Sequence, residues 1–547
     1  MRVFTLLYIR RFVEIDLCAG AHRGGVEVRW PVFQTRTSAG PAFLRAVPLS
    51  AKAQLVLLLG CHLLLWTWVG WSSRSNFDAP GDMVEAYVWA QGWQLGYYKH
   101  PPLSAWLAGL WFSVVPESQL GYSLLTALNG TVGLAGLALL AREFLPARWV
   151  LLAVALASLA PGLTTIGMRF NANAVLISTW PLAIALFVRL MQRGRMLDAV
   201  LCGAMAALAM LGKYYSAVLL LSLLATALWL PAWRARLWSG PFLLAVATFV
   251  LCFAPHANWL LAQSQGPLQY AQAATGQQSA AESMLRALHF ALVQGVFPVL
   301  ALLALGLALE GPLRSRAFVG AVTAPLRPRN DAVWLLAVLP VLVTMAVTVA
   351  TGARTAWVWG LAIAAGLALL AAQRAQASGA QLNLRRLWAT LGTIWVVVAL
   401  LSPLWWHARA LLRLPSVTEP RAELAHALAS TWQASHHGNL PWVTGTRALA
   451  ASVSFYAPGH PRYWSLWSPG IETPWVNTAE VHSQGGVIVC AADDLGCQSQ
   501  AEAWSADRQP VSVAKSARGF LFEAQPFVVY WMLPQRTSMS QSPPLTP

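Results

Sequence analysis

Residues 53–71 read AQLVLLLGCHLLLWTWVGW, a run without a single Asp, Glu, Lys or Arg. About 20 apolar residues are enough to carry a helix across a bilayer core. Comparable runs recur near 120–141, 146–166, 172–190, 197–212, 214–231, 240–262, 287–309, 332–351, 355–373 and 386–406, about eleven spans in all. The whole chain agrees with that reading. Its 547 residues are 57% hydrophobic and 11% charged, with a mean hydropathy of +0.53. Soluble proteins carry about 25% charged residues, and a soluble chain this long would divide into domains with charged surfaces. Disorder and collagen-like structure are excluded by the apolar content and by the lack of a Gly/Pro period. The net charge of +16 would suggest nucleic acid in a soluble protein, whereas in a membrane protein it reports topology.

The stretch 101–115, PPLSAWLAGLWFSVV, is apolar but short and opens on two prolines. It reads as an interfacial or re-entrant helix. Basic residues test this choice, because they collect in cytoplasmic loops. With residues 1–52 inside and 101–115 not counted as a span, fourteen arginines between Arg142 and Arg386 fall in cytoplasmic loops, and eight more basic residues precede the first span. Only six fall in the opposite loops: Arg74, Lys99, Arg169, Lys213, Arg286 and Arg354. The expectation is an all-α polytopic membrane protein with a small C-terminal α/β domain. Residues 1–52 form a cytoplasmic extension, 53–406 the transmembrane domain with its first outer loop at 72–119, and 407–547 a periplasmic domain if the source is Gram-negative. The tail shows β-like runs at 485–492 and 527–533 and a helix-like stretch at 419–432. Residues 1–48 lack a signal-peptide apolar region; they are a cytoplasmic extension, or residue 1 is not the true start. Cys61, Cys202 and Cys252 lie in spans as small apolar residues, and Cys18 in the N-terminal segment. Cys490 and Cys497 are expected to form a disulfide, which an oxidising compartment permits.

Between residues 53 and 406 there are nine acidic residues, and three of them crowd into one loop. That loop, NFDAPGDMVEAYVWAQGWQLGYYKHPPLSAW at 76–106, holds Asp78, Asp82 and Glu85 and closes on Lys99 and His100. It reads either as a solvated loop with interfacial aromatics or as carboxylates held at the membrane surface for general-base or metal-binding work. In a helix over 82–92, Asp82 and Glu85 share one face. Asp78 fits loop solvation better.

The run Asp82-Met83-Val84-Glu85, Trp89-Ala90-Gln91, Gly96-Tyr97-Tyr98-Lys99-His100-Pro101-Pro102-Leu103 and Trp106 resembles the first-loop signature of bacterial family-39-type glycosyltransferases. These are GT-C membrane enzymes related to the protein O-mannosyltransferases and the lipid A aminoarabinose transferase. Weaker matches follow in order: Phe170-Asn171-Ala172-Asn173 with Trp180-Pro181, Gly212-Lys213-Tyr214-Tyr215, Pro255-His256 with Trp259 and Tyr270-Ala271, and Phe455-Tyr456-Ala457-Pro458. The resemblance covers roughly 53–530. It implies inverting transfer of a sugar from a polyprenyl-phosphate carrier to a lipid, glycan or protein acceptor at the outer face, with no nucleic acid involved. Asp82 aligns with the family's catalytic Asp and would be the base. Glu85 would orient it, bind acceptor or help hold a divalent ion. Tyr97, Lys99, His100, Arg169, Asn173, Lys213, Tyr214, His256 and Arg354 are the candidate substrate-binding residues, the cations among them serving the leaving phosphate. The resemblance thins at two places. Relatives often carry a second acid where this chain has Met83, and many have an Asp near Asn171–Asn173 where this chain has none, so metal use stays open.

Each candidate has a plainer alternative. Lys213 could snorkel to the headgroups, Arg169 could neutralise them, His256 could cap a helix, and Asn171 and Asn173 could hydrogen-bond between helices. Arg74 and Arg286 fit an interfacial role. The main rival function is a transporter or lipid flippase, whose ionisable residues would sit at mid-membrane depth. An enzyme predicts instead one cavity at the outer surface holding Asp82, Glu85 and several outer cations, open sideways to lipid.

Overall fold

The computed structural model of the protein describes residues 49–77, 81–263, 266–267, 269, 279–296 and 299–534. Residues 1–48 with Cys18, Asp78 and the Tyr270-Ala271 motif lie outside the described residues.

The first span forms α1, Ala51–Ser72, started by Ser50, whose hydroxyl accepts from the Ala53 amide at 3.2 Å. The loop behind it forms two short helices, α2 (Asp82–Ala90) and α3 (Leu103–Phe112). Then come α4 (Gln119–Ala141), α5 (Ala147–Ala157), α6 (Val175–Arg193), α7 (Met196–Gly212), α8 (Ser216–Trp229) and α9 (Gly240–Ala262). They are followed by α10 (Ala280–Val296), α11 (Val299–Ala308), α12 (Arg314–Val322), α13 (Ala332–Thr351), α14 (Ile363–Ala377) and α15 (Leu384–Leu411). Among the described residues eight helical stretches are long and apolar enough to cross a membrane, including α10–α11 as one and Trp357–Ala377 as another. The remaining three expected spans form the shorter apolar helices α5, α7 and α8. The run 146–166 is interrupted after Ala157, where Pro161–Leu163 makes a 3₁₀ turn. The prolines of α6, α9, α13 and α15 remain inside their helices. Thr344 Oγ1 donates back to Pro340 O at 2.6 Å and His407 Nδ1 to Pro403 O at 2.7 Å, each onto the carbonyl four residues earlier.

Burial sorts the helices. α6 is almost wholly enclosed, whereas α9 and α15 expose leucines such as Leu251 (74%) and Leu400 (65%). Apolar faces this bare suit lipid, not water. The protein is therefore a multi-pass membrane protein.

Two short strands, β1 (Leu309–Glu310) and β2 (Gln381–Leu382), pair at the end of the helices opposite α2. Beyond α15 the chain builds a mixed five-stranded sheet from β3 (Trp442–Gly445), β4 (Arg462–Tyr463), β5 (Gly486–Ala491), β6 (Arg508–Val513) and β9 (Gln525–Met532), in the order β4-β3-β5-β9-β6. β3 runs parallel to β4 and β5, while β9 is antiparallel to β5 and β6. The hairpin β7 (Ser516–Ala517) and β8 (Phe520–Leu521) stands apart. Helices α16 (Arg421–Ser435) and α17 (Arg447–Tyr456) cover one face. Cys490 and Cys497 form a disulfide at the other. One apolar core runs from α2 and α3 through Phe455 into this sheet, so the C-terminal part sits directly on the first loop.

Candidate active site

The site is built on the start of α2. Gly81 precedes it with φ +82° and lies so close to α17 that a Cβ would meet Ala448 Cβ at 2.8 Å. Only glycine combines that backbone with that approach. Asp82 then opens the helix, where the macrodipole favours a carboxylate, and Glu85 follows one turn later on the same side.

A chain of asparagines steadies Asp82. Asn171 Oδ1 accepts from the backbone amides of Asn173 (2.9 Å) and Ala174 (3.1 Å), which turns its Nδ2 toward Asp82 Oδ2 at 3.2 Å. Lys213, buried at 9% exposure, donates to Asn173 Oδ1 and lies over the Trp359 ring at 4.6 Å. Burial pushes its ammonium down to about 7, against the pull of Asp82 and with a further push from Lys99. Lys99 Nζ pairs with Glu85 Oε1 at 2.8 Å and sits near the Trp89 and Tyr98 rings, 5.7 Å from each.

Burial sets the protonation states. It pushes the Glu85 carboxyl up to about 7, against the pull of Lys99 and with a further push from Asp82. Burial is the largest influence and opposes the charge on Lys99, but Glu85, Tyr98 and Asp82 together outweigh it and hold the ammonium above its usual range. Burial first, then Lys213 and Lys99, keep His100 well below the ordinary histidine range. His100 is thus a neutral group among two lysines.

The other expected residues divide by role. The Tyr97 hydroxyl donates to Trp89 O at 2.8 Å, its ring stacks on Trp89, and its amide donates to His100 O at 3.0 Å. These contacts shape the turn that presents Lys99 and His100. His256 Nδ1 meets Leu95 O at 2.6 Å, so Nδ1 is the donor and Nε2 accepts from the Tyr214 hydroxyl at 3.0 Å. The pair anchors the same turn from α9, and a Cβ on Gly96 would clash with the neighbouring Trp259 ring. Arg354 is exposed just beyond α13.

Arg169 belongs elsewhere. The expected cavity holding both acids and the outer cations is not the one in which Arg169 sits. A cavity of about 900 Å³ at this end of the helices is lined by Arg74, Arg169 and Arg409 and by neither Asp82 nor Glu85. The cause is local. α17 presses on the start of α2, and Glu85 is taken by Lys99. Arg74, expected to be merely interfacial, donates to Met168 O at 3.4 Å and to Met83 Sδ at 3.6 Å, beside Asp82. Two further cations escaped sequence reasoning. Arg409 ends α15. Arg447, at the start of α17, pairs with buried Glu472, which also accepts from Ser465 Oγ at 2.7 Å, and its charge reaches Glu85 and Tyr98. Arg447 and Arg409 lie hundreds of residues from the loop they serve, and no local pattern marks them.

Among the described residues no group of three His, Cys, Asp or Glu side chains could hold a metal ion. What the arrangement offers is a fixed carboxylate, a neutral imidazole and a cluster of cations at one end of a helical bundle, suited to removing a hydroxyl proton and receiving a phosphate.

Residues 99–259 match the dolichyl-phosphate-mannose-protein mannosyltransferase family. The chain is 25% identical over 337 residues, 59% of its length and 67% of the relative's, to a lipid A galacturonosyltransferase, RgtD, of Rhizobium johnstonii. Its fold is similar to crystal structures of ArnT from Cupriavidus metallidurans in the apo state and bound to undecaprenyl phosphate. Each shares 16% identity at a TM-score of 0.56, over 88% of this chain and 99% of that one. The family match is confined to residues 99–259, and the likeness to ArnT extends its GT-C fold over most of the chain.

Proposed function

We propose that this chain is a glycosyltransferase of a bacterial inner membrane that works at the periplasmic face and moves a sugar from a polyprenyl-phosphate carrier to an acceptor hydroxyl. Asp82 takes the hydroxyl proton as the acceptor oxygen attacks the anomeric carbon. The bond from that carbon to the phosphate oxygen breaks, and its electron pair leaves with the polyprenyl phosphate. Attack opposite the leaving group inverts the anomeric centre. Lys99 and Lys213, with His100 as a neutral donor, receive the charge that grows on the phosphate. Glu85 holds Lys99 in place, and Arg447 extends the cationic side from the C-terminal part.

One observation carries this reading: Asp82 is oriented by Asn171 within reach of the charges of Lys213 and Lys99. The relatives support it, since an ArnT has been crystallised with undecaprenyl phosphate and the Rhizobium relative is named for transfer to lipid A. The test is a donor assay. Membranes containing the overexpressed chain should consume one of a panel of undecaprenyl-phosphate sugars. Asp82→Asn should stop consumption while the protein remains inserted, and normal turnover by that variant would sink the assignment.

A further inference from the structure

The end of the helices opposite α2 carries a second cluster of charge. Arg316, Arg327, Arg329 and Arg374 line one hollow of about 700 Å³ formed by α12, the turn that follows it and the end of α14. Arg374, whose side chain is 11% exposed, is held by Asp331 Oδ2 at 2.6 Å. The other oxygen of Asp331 accepts from the Trp334 amide at 2.9 Å and starts α13. Arg316, Arg327 and Arg329 are exposed. Four guanidinium groups against this one carboxylate leave the hollow cationic, and guanidinium groups favour phosphate. Topology accounts for arginines on this side of a membrane. It does not gather them around a hollow.

A second observation is what lies behind the arginines. An apolar slot of about 300 Å³ shares its walls with the hollow. One face of α14 lines both: Ala364, Leu367, Ala368 and Ala371 line the slot, and Arg374 and Ser378, at the same helical spacing, line the hollow. The segment from α12 through the 3₁₀ turn Ala324–Leu326 does the same, with Val319 and Ala324 on the hollow and Val322 and Pro325 on the slot. Alanine at 364, 368 and 371 keeps the slot open. From Arg374 back to Ala364 the helix covers about 15 Å at 1.5 Å per residue, half of a ~30 Å hydrocarbon core. A slot that begins at a cationic rim and ends at mid-core has the reach of one acyl chain beneath its headgroup.

We infer that hollow and slot together bind an anionic phospholipid of the cytoplasmic leaflet, with its phosphate on the arginines and one acyl chain along α14. Basic pockets between spanning helices on the cytoplasmic side are a known way to hold such headgroups. A soluble phosphate compound would use the hollow and leave the slot empty, and a neutral lipid would use the slot and leave the arginines without an anion. The lipid answers both. The leaflet follows from the side expected for these arginines, and the lipid class follows from the two cavities. The site lies at the opposite end from Asp82 and stands apart from the transfer reaction, whether or not the chain transfers a sugar.

The test is photolabelling of the full-length chain in phosphatidylcholine nanodiscs, with phosphatidylglycerol carrying a diazirine on one acyl chain as the probe. Crosslinks should map to residues 364–371 of α14. The Arg327→Gln/Arg329→Gln double variant changes two exposed side chains and should lower labelling of that stretch at least fivefold. Ala364→Leu, which narrows the slot without touching charge, should lower it as well; should that variant unfold, the arginine pair carries the test alone. A phosphatidylcholine probe should label the stretch at least fivefold less. Unlabelled phosphatidylglycerol should suppress the labelling, and glycerol 3-phosphate should not. Labelling that is unchanged in the arginine variant overturns the inference. Equal labelling by the phosphatidylcholine probe overturns it in favour of an apolar slot that does not select a headgroup. Suppression by glycerol 3-phosphate as strong as by phosphatidylglycerol overturns it in favour of a soluble phosphate compound.

Discussion

At the scale of single residues, Asp82 and Glu85 are two carboxylates one helical turn apart in different states. Asp82 is held by an amide and faces lysines; Glu85 is buried against one of them. General-base catalysis is worth about 10²–10⁴-fold, so Asp82→Asn should cost at least that range in turnover, read as donor sugar consumed per unit of inserted protein. Glu85 gives a pH signature. Its carboxyl is raised to about 7, so it is neutral below that pH and ionised above, while Lys99 stays charged throughout. If the ionised pair holds Lys99 for the phosphate, kcat/KM rises with pH through about 7, and Glu85→Gln flattens that limb. Stability runs the other way. A carboxyl raised on folding binds its proton more tightly in the folded chain, so stability falls between about 4.5 and 7 and levels above. A limb near 7 that survives in Glu85→Gln would assign it to another group. The acids were legible in the sequence because charge is so scarce among the spans. The lysine that pairs with Glu85 was legible too, fourteen residues on in the same loop. Asn171 was recognised only as a motif residue, since nothing local says that its amide faces Asp82.

At the scale of elements, the site depends on how α2 meets α17. The glycine at 81 is tied down twice, by φ +82° and by Ala448. Gly81→Ala should therefore lower stability by about 1–2 kcal/mol from backbone strain, with the crowding added. It should also depress transfer by shifting Asp82. Ala448→Gly in the same chain should restore part of the loss, because it relieves the crowding and not the φ. Thermal unfolding and donor consumption on the single and double variants would show this, and no recovery would mean that the contact is not what fixes α2. The element types were readable from the sequence: the apolar runs became helices, 101–115 became the short α3, and the two β-like runs in the tail became β5 and β9. Helix ends were not. An apolar stretch such as 146–166 carries no periodic break, and the interruption comes from Pro161-Gly162 and from packing against Leu361. The pairing of α17 with α2 was equally hidden, because it joins segments more than 350 residues apart whose sequences show only ordinary apolar patterning.

At the scale of the whole molecule, the side of the membrane that holds the site is a single question with several linked parts. α1 and α15 both end where α2 begins, and the C-terminal part is pinned there. Lys515 donates to Asn76 Oδ1 and Glu419 O, each at 2.9 Å, and Arg518 donates to Ser72 O and Trp71 O. The first loop and the sheet must therefore share one side. The arginines gather at the opposite end: Arg316, Arg327, Arg329 and Arg374 line one hollow there, and Arg189 and Arg193 pair with Glu143. By the positive-inside rule that end is expected to be cytoplasmic. The Cys490–Cys497 disulfide fits an oxidising compartment on the other side. Alkaline phosphatase, which needs disulfides to be active, should then work when fused after Pro534 and fail when fused in the turn between α14 and α15. The reverse result would put Asp82 in the cytoplasm. Transfer from a carrier at the periplasmic face would then be untenable, however well the residues of the site fit together, because the geometry that binds the first loop to the sheet leaves no way to place one outside without the other.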